Sequence, residues 1–361
     1  MHLHKIILRC AGYCLLMTAA TLSQMLAPPI KPAAASEADD AKVAAFYRGN
    51  TVYVVIGSAV GGGFDFYGRA VGKYMAKYIP GNPTVVPQNL PGAGSFNAAS
   101  RVAVTAPQDG TYIGAIQPTA ILDPVLGDPS KGAKRLDLAF LGNAAENIEG
   151  CFLRTDAPAK SFADIFNTEV VLGASNGASS TREYPSILKN VLGMKFKIVT
   201  GYPGNADIFL AIDRNEVQGM CGSSILNVIA SRPKWFADDM VRMISHQGSK
   251  PLPAMKETEG VRPAVSYAKT AEQKQILDLY DLGGRFGRPW VTGANVPPER
   301  IAALRTAFMK SLNDPELRKE VIARGLEISP MPGEEVQKLV SEVYAMPPEL
   351  LKKTRSALGY E

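Results

Sequence analysis

The stretch from Val52 to Gly81 reads VYVVIGSAVGGGFDFYGRAVGKYMAKYIPG and predicts a strand, a glycine loop and a helix in succession. Val52 to Ile56 is short, apolar and β-branched, as expected of a buried strand. Small residues follow from Gly57 to Gly63. Apolar side chains then recur at helical spacing, and Gly81 is a suitable helix stop. These side chains are Tyr67, Ala70, Val71, Tyr74, Met75 and Tyr78.

The glycine loop predicts a binding site for an anion. Glycines let a ligand approach the backbone, and the start of the following helix offers unpaired N–H groups with partial positive charge. The phosphate-binding P-loop pattern is excluded because Gly63 stands where a lysine is required. The dinucleotide pattern is excluded because Phe66 stands where a glycine is required. Asp65 lies at the expected helix start and is interpreted as its N-cap.

The segment from Glu169 to Ser224 repeats this arrangement. Val170 to Leu172 is a predicted strand, the loop from Gly173 to Ser180 is rich in small and hydroxyl residues, and a helix up to Gly193 follows. Two such units predict two α/β lobes that hold a ligand between their loops and helix N-termini.

The N-terminus has the pattern of an export signal. Lys5 and Arg9 precede an apolar run and the small residues that end at Ala35. We therefore expect residues 1–35 to be a signal peptide and the mature protein to be periplasmic. Cleavage there would remove three basic residues and no acidic ones, which lowers the net charge from +5 to +2. With no basic run present, we expect no nucleic-acid partner.

Cysteine and histidine usage limits the chemistry of the mature chain. Cys151 and Cys221 remain, and the sequence leaves open whether they form a disulfide or stay as buried thiols. His246 is the one histidine beyond the signal and is expected on the surface or in a loop. This argues against a multi-histidine metal site, and we expect neither a metal nor a cofactor.

Several motifs resemble the substrate-binding receptors of tripartite tricarboxylate transporters, also called Bug receptors. The first is the loop Gly61-Gly-Gly-Phe-Asp65 with Arg69 soon after it. The family's N-x-P-G-A-G element is matched from Asn89 to Gly94, and its P-D-G-Y-T turn resembles residues 109–112. The second-lobe serine loop resembles residues 173–179, and the Y-K-G loop resembles residues 202–204. The similarity runs from about Val52 to the C-terminus.

The resemblance implies a two-lobed periplasmic-binding-protein fold of the Venus-flytrap type. We expect residues 44–149 to form the first part of lobe 1, residues 150–283 to form lobe 2, and residues 284–361 to complete lobe 1. The implied function is capture of a small organic anion, a carboxylate, for delivery to the membrane permease subunits of such a transporter. We also expect a monomer.

The candidate ligand-binding residues lie in the loops of both lobes. Backbone N–H groups and serine hydroxyls are expected to receive the carboxylate oxygens, and several such bonds are needed because each nets only about 1 kcal/mol. The candidates are Gly62, Gly63, Phe64, Asp65, Gln117, Thr119, Ser175, Asn176, Ser179, Ser180, Tyr202 and Asn205.

Two alternatives stay open at this point. Gly173-Ala-Ser175-Asn-Gly177 has the spacing of a nucleophile elbow, and His246 is available as its base, so an α/β hydrolase-like enzyme is one alternative. The other is a binding protein that acts as a ligand sensor for a signalling partner. We favour the receptor, which is not an enzyme, because a five-residue motif recurs by chance.

Overall fold

The computed structural model describes residues 37–175, 179–248 and 258–360. These residues form an α/β structure with one six-stranded and one five-stranded sheet, which confirms the predicted fold class. The strands are β1 Thr51–Ile56, β2 Thr84–Asn89, β3 Tyr112–Ala115, β4 Leu138–Asn143, β5 Glu149–Arg154, β6 Val170–Ser175, β7 Phe196–Tyr202, β8 Gly219–Ser224, β9 Val241–His246, β10 Pro289–Gly293 and β11 Met331–Pro332.

Thirteen α-helices are present in the described ranges. They are α1 Glu37–Tyr47, α2 Gly63–Met75, α3 Phe96–Ser100, α4 Thr119–Leu126, α5 Ser180–Leu192, α6 Asn205–Asp213, α7 Ile225–Ser231, α8 Pro233–Ala237, α9 Ala271–Arg285, α10 Pro298–Leu312, α11 Pro315–Ile322, α12 Gly333–Tyr344 and α13 Pro348–Leu358. No helix within these ranges is long and apolar enough to cross a membrane.

Strand β1 lies inside the first sheet, between β3 and β2. The strand order of this sheet is β11-β4-β10-β3-β1-β2, with β1 parallel to both β2 and β3 and with β10 antiparallel to β3 and β4. The apolar face of α2 covers β1, with Tyr67, Val71 and Met75 buried in the same core as Val54. The carboxyl ends of β1 and β3 therefore lie at one edge of the sheet, where loops of open α/β sheets bind ligands.

The second sheet has the order β7-β6-β8-β5-β9. Strand β6 is parallel to β7 and β8, and β5 is antiparallel to β8 and β9. The chain passes from the first sheet to the second between β4 and β5 and returns between β9 and β10. Two segments therefore cross between the sheets.

A disulfide joins Cys151 on β5 to Cys221 on β8. The two residues are register partners in the antiparallel ladder, and both are fully buried. The disulfide resolves the alternative that the sequence leaves open.

Replacing Cys151 and Cys221 together with alanine should lower the free energy of unfolding by about 4 kcal/mol, from the loop-closure entropy of a long cross-linked loop. The sequence separation is 70 residues. Urea unfolding of the oxidised and doubly substituted proteins measures the difference. Equal unfolding midpoints, or free thiols detected in the denatured oxidised protein, would contradict this expectation.

The C-terminal helix α13 contacts helix α5, beside the second sheet, and helix α4, beside the first. Asn190 on α5 donates to the carbonyl of Ala357, and Arg355 donates to the carbonyl of Val125 on α4. The apolar residues of α13 also contact both sheets' cores: Leu358 lies in the core of the second sheet, and Leu351 lies in a core of the first. Helix α13 therefore packs against the cores of both sheets.

Candidate functional site

A cavity of about 420 Å³ lies between the two sheets, and this volume suits a small molecule. Five sequence-predicted residues line it, from both sheets: Phe64, Gln117, Thr119, Ser179 and Ser180. The two crossing segments close its base with Asn147, Glu149, Gln247, Gly284 and Arg288. A larger cavity of about 670 Å³ contains none of the predicted residues and shares only Gln247 and Gly284 with the first.

Asp65 is not the N-cap of α2, contrary to the interpretation from the sequence. Gly62 occupies the cap position, and Asp65 is the third helical residue. From there its carboxylate reaches back to the N–H of Gly61 at 2.9 Å and also accepts from Arg69 and Asn89 at 2.9 and 2.8 Å. Asp65 is only 4% exposed, and its carboxylate holds the glycine loop against the first sheet.

Asp65 is held in its ionised form, which is the form that accepts these hydrogen bonds. Burial alone would raise the pKa of the carboxyl, but hydrogen bonds from Asn89, Gly61 and Arg69 outweigh it and hold the pKa below its ordinary value. The same asparagine donates to the carbonyl of Ser58, and Ser95 donates to the carbonyl of Gly57. The element from Asn89 to Ser95 therefore supports the glycine loop from behind.

Replacing Asp65 with alanine should lower the free energy of unfolding by about 2 kcal/mol, because it removes the charged acceptor that Gly61, Arg69 and Asn89 share, and hydrogen bonds to charged groups are the stronger ones. Ligand affinity should fall as well, since the loop is no longer fixed in place. Chemical denaturation and calorimetry measure the two effects. The control is Glu216→Ala, which removes the exposed ion-pair partner of the exposed Arg214 and should cost less than about 0.5 kcal/mol. Equal costs for both variants would contradict the role assigned to Asp65.

Arg288 supplies the positive charge of the cavity. It precedes β10, and its guanidinium lies 4.0 Å from the ring centroid of Phe64 and 5.4 Å from that of Tyr67. This contact with the rings holds a planar donor group in place. Its Nη1 donates to the carbonyl of Gly287 at 2.9 Å, and its buried Nε has no hydrogen-bond partner within the described ranges. Gly63 lies beside the guanidinium: a Cβ at this position would be 3.8 Å from an Arg288 nitrogen, in ordinary van der Waals contact. Arg288 is the one basic side chain among the described residues that line this cavity.

Glu149 faces Arg288 at the base of the cavity. Burial raises the pKa of Glu149 to about 7, with Glu183 and Asp281 adding to the rise and with Ser180 and Arg288 opposing it. Asp281 lies nearby, and its pKa is also raised to about 7 by burial. The Ser180 hydroxyl, which lines the cavity beside Glu149, donates to the carbonyl of Gly222 at 2.9 Å.

The second-lobe serine loop meets the cavity at the start of α5. Ser179 is the N-cap residue, and Ser180 opens the helix, so unpaired N–H groups of the first turn point toward this end. The Ser175 hydroxyl lies 2.9 Å from the hydroxyls of Ser179 and Thr181. These hydrogen bonds stabilise the loop. Asn176 lies outside the described residues.

The remaining predicted residues do not line the cavity. Gly62 and Gly63 form the turn that begins α2 beside it. Tyr202 packs against the core under the second sheet, and Asn205 donates to the Ser223 hydroxyl at 3.1 Å. Their part in ligand binding stays a prediction.

The Ser175 and His246 arrangement of a hydrolase is absent from the described structure. Strands β8 and β5 separate β6 from β9, which places the two residues roughly 14 Å apart at ordinary strand spacing. His246 is 1% exposed, so its expected place on the surface or in a loop is wrong. Burial lowers the pKa of its imidazole, and Nδ1 lies 2.8 Å from the carbonyl oxygen of Gln247. The hydrolase alternative is therefore not favoured.

The residues that the crossing segments contribute, chiefly Glu149, Gln247 and Arg288, were not among the candidates from the sequence. One signal was available for Arg288. It follows Gly283, Gly284 and Gly287, and such a run of glycines marks close approach of the backbone to another group. In the structure, Gly284 and Gly287 pack directly against Asn147 in the other crossing segment.

The fold is that of TctC and Bug periplasmic binding proteins. A TctC solute-binding protein from Polaromonas has a TM-score of 0.65 at 17% identity, with 85% of this chain and 99% of that one covered. The periplasmic binding protein BugD has a TM-score of 0.59 at 17% identity, covering 87% and 99%. MatC from Rhodopseudomonas palustris with bound malate has a TM-score of 0.55 at 20% identity, covering 86% and 99%. No family model and no curated protein sequence matches the chain.

Proposed function

We propose that this protein is a periplasmic solute-binding receptor that captures a small organic anion, a carboxylate, between its two lobes. It delivers the ligand to the membrane permease of a tripartite tricarboxylate-type transporter and catalyses no reaction. The observation that carries this proposal is the stacked guanidinium of Arg288 in a cavity that the N-terminal ends of α2 and α5 flank. The malate bound to MatC, which has the same fold, agrees with it.

The recognition mechanism follows from the geometry. Arg288 can form two parallel hydrogen bonds to one carboxylate, and Phe64 keeps the guanidinium plane in position. Thr119 and Ser179 line the cavity from the starts of α4 and α5, so a ligand that contacts both residues favours the closed arrangement of the lobes. Export through a signal peptide at residues 1–35, the lobe boundaries expected above and a monomeric state belong to the same proposal.

A thermal-shift screen with mono-, di- and tricarboxylates tests the function. A ligand present at about 100 times its Kd stabilises the folded state by about 2.7 kcal/mol, which raises the Tm by roughly 5 °C. Mass spectrometry of small molecules released from the freshly purified protein on denaturation gives an independent readout. A protein that releases no organic anion and shows no shift with any carboxylate would contradict the proposal.

A further inference from the structure

A tight turn at the end of α13 brings a tyrosine into the wall of the cavity between the sheets. Gly359 has the left-handed backbone conformation of a helix-terminating glycine, with φ 83° and ψ 33°. Its N–H donates to the carbonyl of Ser356 at 3.0 Å, and the N–H of Tyr360 donates to the carbonyl of Arg355 at 3.1 Å. These are the two hydrogen bonds of a Schellman motif. Leu358 and Tyr360, on either side of the turn, both line the cavity.

Side chains of α5 hold the Tyr360 ring in this position. The Tyr360 hydroxyl donates to the carboxylate of Glu183. The guanidinium of Arg182 lies 5.5 Å from the centroid of the ring and donates to the carbonyl of Gly359 at 3.3 Å. Burial and the nearby charge of Glu183 raise the pKa of the Tyr360 hydroxyl, so it stays protonated as a donor at neutral pH. These contacts fix the ring as part of the wall.

Tyr360 lies between the two helices that flank the cavity. It is bonded to Glu183 on α5, and Asp123 on α4 lies within electrostatic reach of its hydroxyl. Asp123 is one helical turn beyond Thr119, which opens α4. Glu183 is about one turn beyond Ser180, which opens α5. The tyrosine therefore lies further along both helices than the residues at their starts.

Arg288 and Tyr360 lie in different parts of the cavity. The guanidinium of Arg288 is within electrostatic reach of Tyr67 and Glu149. Glu149 is in turn within reach of Glu183, which is bonded to Tyr360. This order places two carboxyl groups between the guanidinium and the tyrosine ring.

We propose that Tyr360 is a specificity-determining residue that limits the length of the carboxylate that the receptor binds. This inference rests on the proposed receptor function and adds a size limit to it. With its carboxylate at Arg288, a ligand extends along the cavity toward Tyr360, whose ring is held by α5. A ligand that is too long meets this ring, and a packed wall tolerates little extra volume.

Calorimetric titration with carboxylates of increasing length tests the proposal. The ligands are the linear dicarboxylates from succinate to suberate and the linear monocarboxylates from butyrate to octanoate. In the series that binds, the wild-type affinity should fall by at least about tenfold where one further methylene group reaches the ring. Tyr360→Phe keeps the ring and should keep this length limit.

Two variants should move the limit in opposite directions. Tyr360→Ala opens the wall and should bind the first ligand beyond the wild-type limit at least about tenfold more tightly than the wild type does. Tyr360→Trp enlarges the wall and should move the limit to a shorter ligand. The tryptophan variant keeps the test decisive if the alanine variant folds poorly.

Tyr344 provides a matched control on α12. It lines another cavity, its hydroxyl donates to the carbonyl of Ile121 at 2.8 Å, and the guanidinium of Arg135 lies 4.6 Å from its ring centroid. Tyr344→Ala therefore removes a tyrosine with similar contacts from outside the proposed site. This variant should leave the length limit unchanged.

The outcomes separate this inference from the proposed function. The same length limit in the wild type, Tyr360→Ala and Tyr360→Trp overturns the role of Tyr360 and leaves the carboxylate receptor standing. A wild-type affinity that does not depend on ligand length has the same meaning. Binding of no carboxylate by any of these proteins, together with no organic anion released on denaturation, overturns both.

Discussion

Replacing Arg288 with methionine should weaken carboxylate binding by at least about 30-fold, equivalent to roughly 2 kcal/mol. Its guanidinium is the one cationic group in the described cavity lining, and two aromatic rings fix its plane. Methionine keeps the long apolar stem against Phe64 but removes the charge and the paired donors. The loss should appear as a faster dissociation rate, since the contact forms in a desolvated cavity.

Arg285 provides a matched control for this substitution. It lies at the end of α9, only a short distance along the chain, and lines the larger cavity instead of the one between the sheets. Arg285→Met removes the same charge and should change affinity by less than about threefold, as expected of a group outside the binding site. Equal losses in the two variants would mean that net charge, and not the stacked guanidinium, controls binding.

The fold was predictable because its signals are local. The run from Val52 to Ile56, the glycines after it and the apolar stripe of α2 specify a strand, a loop and a helix without reference to the rest of the chain. The segment that contains Ser175 and Ser180 repeats these signals. Loops that follow parallel strands meet at one sheet edge, so the sequence alone predicts that Phe64, Gln117 and Ser179 lie in loops at these edges, and all three line the cavity between the sheets.

The base of the site was not predictable in the same way. Glu149, Gln247 and Arg288 are far apart in the sequence and meet only because both crossing segments pass between the sheets. The environment of His246 depends on the strand order, which buries the end of β9. Asp65 lies three residues beyond the N-cap because α2 begins within the glycine loop, at Gly63, and not after it.

The buried carboxyl of Glu149 should make the unliganded protein less stable as the pH rises. Its pKa is about 7 in the folded protein against an ordinary value of 4.5, because burial disfavours the charged form. Between these two values the folded state holds a proton that the unfolded chain has released. Fewer protons on the unfolded state mean that the free energy of unfolding falls with increasing pH, by up to about 3 kcal/mol for this group.

The variant Glu149→Gln isolates that contribution because glutamine cannot ionise. Its stability relative to the wild type should increase by about 3 kcal/mol from pH 5 to pH 8, measured by urea unfolding at each pH. Glu335→Gln removes an exposed carboxyl and should show no such trend. Asp281, Glu183 and Arg288 face Glu149 in both proteins, so their own titration largely cancels in the comparison. Parallel pH profiles for wild type and Glu149→Gln would show that this carboxyl is ionised and solvated in the folded protein. Its place at the base of the binding cavity would then need a different physical account.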